Sequence, residues 1–306
     1  MRVVFAGTPE VAVPSLERLC ETDVTVAAVI TRLDAEVGRK RVITPSPVAA
    51  FAEQQGLPVI KANRLDDDVT SHIASFKPDL GVIVAYGGLL REPLLSLPRL
   101  GWINLHFSLL PRWRGAAPVQ RAIIAGDKTT GAAVFQLVRE LDAGSIFDRV
   151  TRAIGSDETS GDVLTALASS GAELLARVVA DIRDGRASSA AQTGEVTIAP
   201  KLTLDDAHID FRTSAQAAYD RIRGVTPEPG PFALLDGHRV KIMRARIATD
   251  ASSSPAATLA WDGKRLLVGT TTDPIHLLEV QPAGKRTMSA GDWWRGLANR
   301  NGVTAA

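Results

Sequence analysis

Along the first half of the chain, short continuous apolar runs alternate with stretches whose apolar residues recur every three or four positions. The runs at 2–6, 24–30, 58–60 and 80–85 read as strands, the last one apolar enough to be buried on both faces. Between them Val13, Leu16, Leu19 and Cys20 fall at helical spacing, with Cys20 as a small core residue. Ser46-Pro47 reads as an N-cap and first helical position, with Val48 and Phe51 facing inward. Val69, Ile73 and Phe76 mark a further helix. Pro118 starts another that Gly126 ends, and strands follow at 131–138 and 145–154. A long helix over 161–184 carries Val163, Leu164, Leu167, Leu174, Leu175, Val178, Val179 and Ile182 on one broad face until Gly185 stops it. Strands and helices alternating in this way predict an α/β fold, a Rossmann-like parallel sheet.

The texture then changes. The stretch 186–194 is small and polar, a linker by composition. Beyond it, 232–247 contains Asp236-Gly237 and 258–268 contains Asp262-Gly263, both strong hairpin signals. Short strands with turns between them predict a small OB-like β-barrel. Trp293 and Trp294 sit on a short helix and are expected to pack, not to stack on bases. With 306 residues, two domains are expected: 1–186 catalytic, 187–206 linker, and 207–306 the OB-like domain.

One strand ends differently from the rest. In Gly-Trp-Ile-Asn-Leu-His, from Gly101, alternation puts Asn104 and His106 on one face and Ile103 and Leu105 on the other. Pro111, Gly115 and Pro118 then forbid any continuation of the strand. An amide donor and an imidazole at a strand end of an α/β sheet lie where ligands bind. Together they can hold the oxyanion of a tetrahedral intermediate in acyl transfer. A histidine in that role wants a carboxylate to orient it and favour its protonated form, and Asp142, beside Gly144, is the candidate.

Composition removes several alternatives. A hydrophobic share of 45% suffices for real cores, and a formal net charge of +1 gives no overall electrostatic partner. Residues 201–306 hold 14 Lys and Arg against 11 Asp and Glu, which weakly favours an anionic partner there. Arg239, Lys241, Arg244 and Arg246 fall in one hairpin. Strict alternation makes Arg244 and Arg246 the surer pair on a face, and Lys285 follows a Pro-Ala-Gly turn. The single cysteine excludes an intramolecular disulfide and suits a reducing compartment. The five histidines never take ligand spacing, so no metal is expected. The lone glycine after the first strand is not a dinucleotide fingerprint. There is no run of 18 apolar residues and no signal peptide, so a cytoplasmic protein without membrane contact is expected.

The run from Asn104 to Gln120, with Leu-Asp-Ala-Gly at 141–144, resembles the signature of the 10-formyltetrahydrofolate-dependent formyltransferases. The likeness extends to Phe-Ala-Gly-Thr-Pro-Glu from Phe5, Pro-Ser-Pro-Val from Pro45, Val-Ile-Val-Ala-Tyr-Gly from Val82 and Ala-Pro-Lys-Leu from Ala199. It covers nearly the whole chain in order. The loop from Arg112 to Pro118 and Val-Gln-Pro-Ala-Gly-Lys from Val280 point to the branch acting on charged initiator tRNA. Phe107 departs from the pattern, since relatives commonly carry glycine there; it would reshape the pocket wall without removing the donors.

The resemblance implies 10-formyltetrahydrofolate as co-substrate and charged initiator tRNA as partner; a monomer is expected, though the sequence does not fix the oligomeric state. Formylmethionyl-tRNA for translation initiation would be the product. It carries oxyanion stabilisation onto Asn104 and His106, and orientation of His106 and proton transfer onto Asp142. Ser108, Leu109, Leu110 and Pro111, with Tyr86 and Gly87 at the next strand end, would line the folate site. Arg39, Lys40 and Arg41 would contact tRNA in a loop less basic and less glycine-rich than is usual in the family. The sequence leaves Arg112 and Arg114 open between bracing the loop and approaching the acceptor end. A formyltransferase for small amines, a formate-releasing hydrolase and a non-catalytic RNA-binding protein are the alternatives.

Overall fold

The computed structural model describes every residue except Arg39, Asn299, Asn301 and Ala306. Its strands in the first part of the chain are β1 (Arg2–Gly7), β2 (Thr25–Thr31), the small hairpin β3 (Ala35–Val37) and β4 (Val42–Thr44), β5 (Val59–Lys61) and β6 (Leu80–Val84). They continue with β7 (Trp102–His106), β8 (Arg114–Gly115), β9 (Thr129–Gln136), β10 (Ile146–Ala153) and β11 (Ile198–Ala199). The helices are α1 (Val13–Cys20), α2 (Pro47–Gln54), α3 (Asp67–Ser75), α4 (Pro118–Ile124) and α5 (Ser160–Arg183).

Seven strands form one sheet in the order β10-β9-β7-β6-β1-β2-β5. From β5 to β7 the neighbours are parallel, as continuous apolar runs require when both faces are covered. The sheet is not parallel throughout: β9 runs against β7, with Ala133 opposite His106 and Gln136 opposite Ile103. The chain leaves β1 toward β2 and β5, then returns to β6 on the other side. The switch point therefore lies between the ends of β1 and β6, where an α/β sheet opens a crevice. Thr8 Oγ1 donates to the Tyr86 carbonyl at 3.0 Å and ties those two ends together. Close packing of β6 on β7 needs Gly81, where a Cβ would lie 2.1 Å from the Trp102 ring.

The long helix α5 has 24 residues and is apolar enough by composition to cross a bilayer. Its apolar side is used in the core instead: Leu167, Leu174, Leu175, Val178 and Val179 are buried, and Gly171 abuts Leu105 of β7. Cys20, expected in the core, is exposed. Leu16 and Leu19 take the inward positions of α1, and Cys20 falls at its outer end. The basic stretch after β2, expected as a loop, is the β3–β4 hairpin, with Val37, Val42 and Ile43 exposed.

By contacts, Met1–Pro118, Thr129–Arg152 and Leu164–Ala199 form one unit, and Val119–Lys128, Ala153–Val163 and Pro200–Ala306 a second. The second contains α6 (Ala215–Gly224), β12 (Phe232–Leu235), β13 (His238–Ile247), β14 (Leu259–Trp261), β15 (Leu266–Val268), β16 (Ile275–Pro282), β17 (Met288–Ser289) and α7 (Ala290–Arg295). Its antiparallel sheet runs β12-β13-β16-β15-β14, with β17 on β16. The sheet curls, and its outer edges are joined by bridges from Leu235 to Ala305 and from Thr258 to Thr304. The barrel is thus OB-like but only partly closed. Trp294 is buried in its core and Trp293 packs against it.

Candidate active site

β7 ends at the C-terminal edge of the parallel strands and delivers two polar side chains to one face. Asn104 is paired with Ile83 on one side and Phe135 on the other, and its carboxamide makes no hydrogen bond among the described residues. It is half-buried, so this donor stays available to a bound molecule. His106 is buried, edge-on to the Phe135 ring at 6.4 Å.

The chain after β7 turns through 107–118 and brings its own backbone onto the histidine. The Trp113 carbonyl lies 2.8 Å from His106 Nε2, which must therefore carry the proton of that bond. Ser108 Oγ donates to the Arg112 carbonyl at 2.7 Å and closes the turn. On the other side of the imidazole, Asp142 Oδ2 lies 3.8 Å from Nδ1 and accepts the Gly115 N–H at 2.8 Å. His106 and Asp142, distant in sequence, thus meet; the intervening strand β9 folds the chain back between them.

Asp142 sits in the left-handed region, at φ 46°. Gly144 permits the turn, because a Cβ there would lie 1.7 Å from the Gln136 carbonyl oxygen. Sequence reasoning missed what supports this turn from outside. The Gln192 carboxamide donates to the carbonyls of Asp142 and Gly144 at 2.7 and 2.9 Å. Its oxygen accepts from Arg114 Nη2 at 2.6 Å and Nε at 3.1 Å, so Arg114 braces the loop. No local pattern marks Gln192 within its small, polar neighbourhood. The one sequence signal was its nearness to Ala-Pro-Lys-Leu.

Burial pushes the His106 imidazole below its ordinary value, while the Asp142 carboxylate and the Trp113 carbonyl pull it upward. Burial dominates and favours the neutral imidazole before substrate charge arrives. Both ring nitrogens nevertheless face acceptors, an arrangement that favours the cation as soon as further negative charge arrives. The site thus offers an amide donor, a switchable imidazole and a carboxylate. Asp142 Oδ1 has no protein partner among the described residues.

The other residues singled out in the sequence are distributed as follows. Tyr86 is buried and donates its hydroxyl to the Ala62 carbonyl at 3.0 Å, so its backbone, not its ring, borders the switch point. Gly87, at φ 74°, accepts from Arg32. Ser108, Leu110 and Pro111 are buried, Leu109 is half-buried, and Phe107 is buried. Arg39 lies outside the described residues. Lys40 and Arg41 are exposed at the tip of the β3–β4 hairpin, and Arg41 pairs with Glu36. Lys285 is exposed after β16. No group of His, Cys, Asp or Glu suited to a metal occurs among the described residues.

The cations of β13 form a larger set than alternation predicts. Register against β16 shifts on both sides of Arg244, and Met243 is the extra residue of a bulge. The bulge resets the side-chain parity, so Arg239, Lys241, Arg244 and Arg246 are all exposed while Val240, Ile242 and Ala245 are buried. Arg239 stacks on Phe232, 3.8 Å from the ring centre, and Arg244 pairs with Glu279 at 3.6 Å. Arg246 also borders a cavity of about 490 Å³ with Lys128, Tyr219 and Arg223.

Comparison with known proteins defines the class. Residues 1–179 match the formyl transferase family and residues 201–298 the formyl transferase C-terminal domain. The chain belongs to the formyl transferase family and is an enzyme of that family. Its full-length relatives narrow the class further. A methionyl-tRNA formyltransferase from Leifsonia xyli is 60% identical over 296 residues, 97% of either chain. The methionyl-tRNA formyltransferase of Clavibacter michiganensis is 55% identical over 305 residues, covering 100% of both. Among solved structures, the Helicobacter canadensis N-formyltransferase in complex with folinic acid and dTDP-3-aminofucose has a similar fold. Its TM-score is 0.69 at 17% identity, covering 92% of this chain and 98% of that one.

Proposed function

We propose that this enzyme moves the formyl group of 10-formyltetrahydrofolate onto the free amine of methionine esterified to initiator tRNA. The observation that carries the reading is the meeting of His106 and Asp142 at 3.8 Å beside an Asn104 amide without a hydrogen bond among the described residues. Full-length relatives that are methionyl-tRNA formyltransferases supply the acceptor, and the folate-bound structural neighbour supports the donor class.

In this mechanism the amine lone pair attacks the formyl carbon, whose oxygen becomes an oxyanion. Asn104 donates one hydrogen bond to it and His106 a second. The developing charge outcompetes the neutral Trp113 carbonyl for the Nε2 proton, because bonds to ionised acceptors are roughly twice as strong. The bond is thus made in the transition state rather than to the substrate, which is what raises turnover. Through Oδ1 and water Asp142 takes the proton the amine loses and passes it to Nδ1 of the neutral His106, stabilising the imidazolium that forms, which later returns the proton. Collapse breaks the bond between the formyl carbon and the folate nitrogen, which regains a proton. The backbone at Tyr86 and Gly87 and the turn from Ser108 to Pro111 form the folate side.

The tRNA is held by cations: Lys40 and Arg41 on the hairpin with Arg39, their neighbour in sequence, and Arg244, Arg246 and Lys285 on the second unit, joined by Arg239 and Lys241. Phosphates bind such side chains through charge and counterion release. A triple Lys241→Ala, Arg244→Ala, Arg246→Ala variant is expected to raise KM for tRNA and leave KM for the folate unchanged. The slope of log affinity against log salt should fall by roughly 0.7–0.9 for each phosphate no longer engaged. A filter-binding titration across salt concentrations reads it, and an unchanged slope removes this face from the interface.

The reading as a whole is tested with radiolabelled formyl donor offered charged initiator tRNA, uncharged tRNA, small amines and water. Label is expected on the charged tRNA alone. Label on a small amine, or formate release without tRNA labelling, overturns it.

A further inference from the structure

We propose that Gln192 is a positioning residue for formyl transfer: its carboxamide clamps the Asp142 turn to the loop after β7 and so keeps the carboxylate facing His106. This rests on the formyl-transfer reading above. All four hydrogen bonds of the amide serve that one junction. Its oxygen accepts from Nη2 and Nε of Arg114, and its nitrogen donates to the carbonyls of Asp142 and Gly144.

What is clamped needs clamping. Asp142 occupies the left-handed region, sparsely populated outside glycine even though Asp and Asn enter it more readily than most, and its surroundings hold it there. Gly144 packs against the Gln136 carbonyl on one side, and Gln192 holds the two carbonyls on the other. The arm bearing Gln192 is itself fixed at both ends. Ala190 bridges to Ile146, and β11 pairs with β8. Thr197 Oγ1 accepts the Trp113 N–H at 2.9 Å, and the Thr197 carbonyl accepts the Arg114 N–H at 2.9 Å. Trp113 and Gly115, which flank Arg114, supply the carbonyl on His106 and the N–H on Asp142. One amide therefore couples both sides of the imidazole.

The chemistry requires glutamine. A glutamate still accepts from Arg114 but presents a carboxylate to two carbonyl oxygens, so the donating half is lost and replaced by repulsion. A leucine removes both halves while filling similar space.

The test uses the full-length enzyme carrying Gln192→Glu or Gln192→Leu. Three quantities are read: kcat, KM for each substrate, and the titration of His106 followed by NMR of its ring proton. The groups facing that ring are the Asp142 carboxylate, the Trp113 carbonyl and the uncharged Phe135 ring. Both variants should lose about a hundredfold in kcat, the cost of a displacement of about 1 Å in a reacting group. Both KM values should stay near those of the unaltered enzyme, and His106 should titrate at lower pH as the carboxylate moves off. A kcat within about threefold of the parent in either folded variant overturns the proposal. So does a loss of kcat with the His106 titration unchanged, which marks a purely structural staple. If Gln192→Glu does not fold, the same outcomes are read on Gln192→Leu. Should the unaltered enzyme fail to formylate charged tRNA, the functional reading falls, while the His106 titration still decides the clamp.

Discussion

His106→Ala lowers kcat for formyl transfer by about a hundred- to a thousandfold, the usual cost of one oxyanion donor. KM for either substrate is expected to change little, because the Nε2 proton is committed to the Trp113 carbonyl until negative charge develops. The protein should still fold. The change forfeits one hydrogen bond and packing against Phe135, on the order of 1–3 kcal/mol, well within what a two-unit protein tolerates. Steady-state kinetics beside a urea titration separate the two effects. A turnover within tenfold of the parent at saturating substrate removes His106 from the chemistry.

Asp142→Asn is expected to cost turnover on the order of a hundred- to ten-thousandfold, the range of a positioned general acid–base group. Asparagine is the informative replacement because its oxygen can still accept the Gly115 N–H and because it tolerates the left-handed backbone found here. The turn survives and only the charge is lost. The sign of the effect on the neighbour follows directly. Burial already lowers the His106 pKa, and Asp142 is the first of the influences opposing it. Without the carboxylate the imidazole titrates lower still, leaving less cation near neutral pH. Ring-proton NMR of both proteins across pH 4–8 reads the displacement, a window set by the ordinary histidine pKa of about 6.5. A curve unchanged or moved upward contradicts the assigned role of Asp142.

The parts of this architecture that depend on local patterning were readable from the residues. Continuous apolar runs gave the parallel strands, Ser46-Pro47 the start of α2, and alternation through Asn104 and His106 a shared face at a strand end. What escaped depends on pairing between distant segments. The reversed direction of β9 has no signature in its composition, since an apolar strand buried in the sheet reads alike either way. The bulge at Met243 is a relation between β13 and β16, so strict alternation split four cations that the folded sheet places on one side. Gln192 lies in a small, polar stretch whose importance arises only when it is laid beside β8. Burial of His106 likewise needs three dimensions, and it is burial that lowers the imidazole's pKa.

The pairing of β11 with β8 bears on how the enzyme is born. Asn104, His106 and Asp142 all leave the ribosome ahead of the segment that seats them, and Gln192 trails Asp142 by 50 positions. At ordinary translation speeds that is a delay of roughly 2–10 s. During that interval the nascent polypeptide displays Asn104 and His106 at a strand end and Asp142 on a turn, while the segment that retains the loop between them has yet to be synthesised.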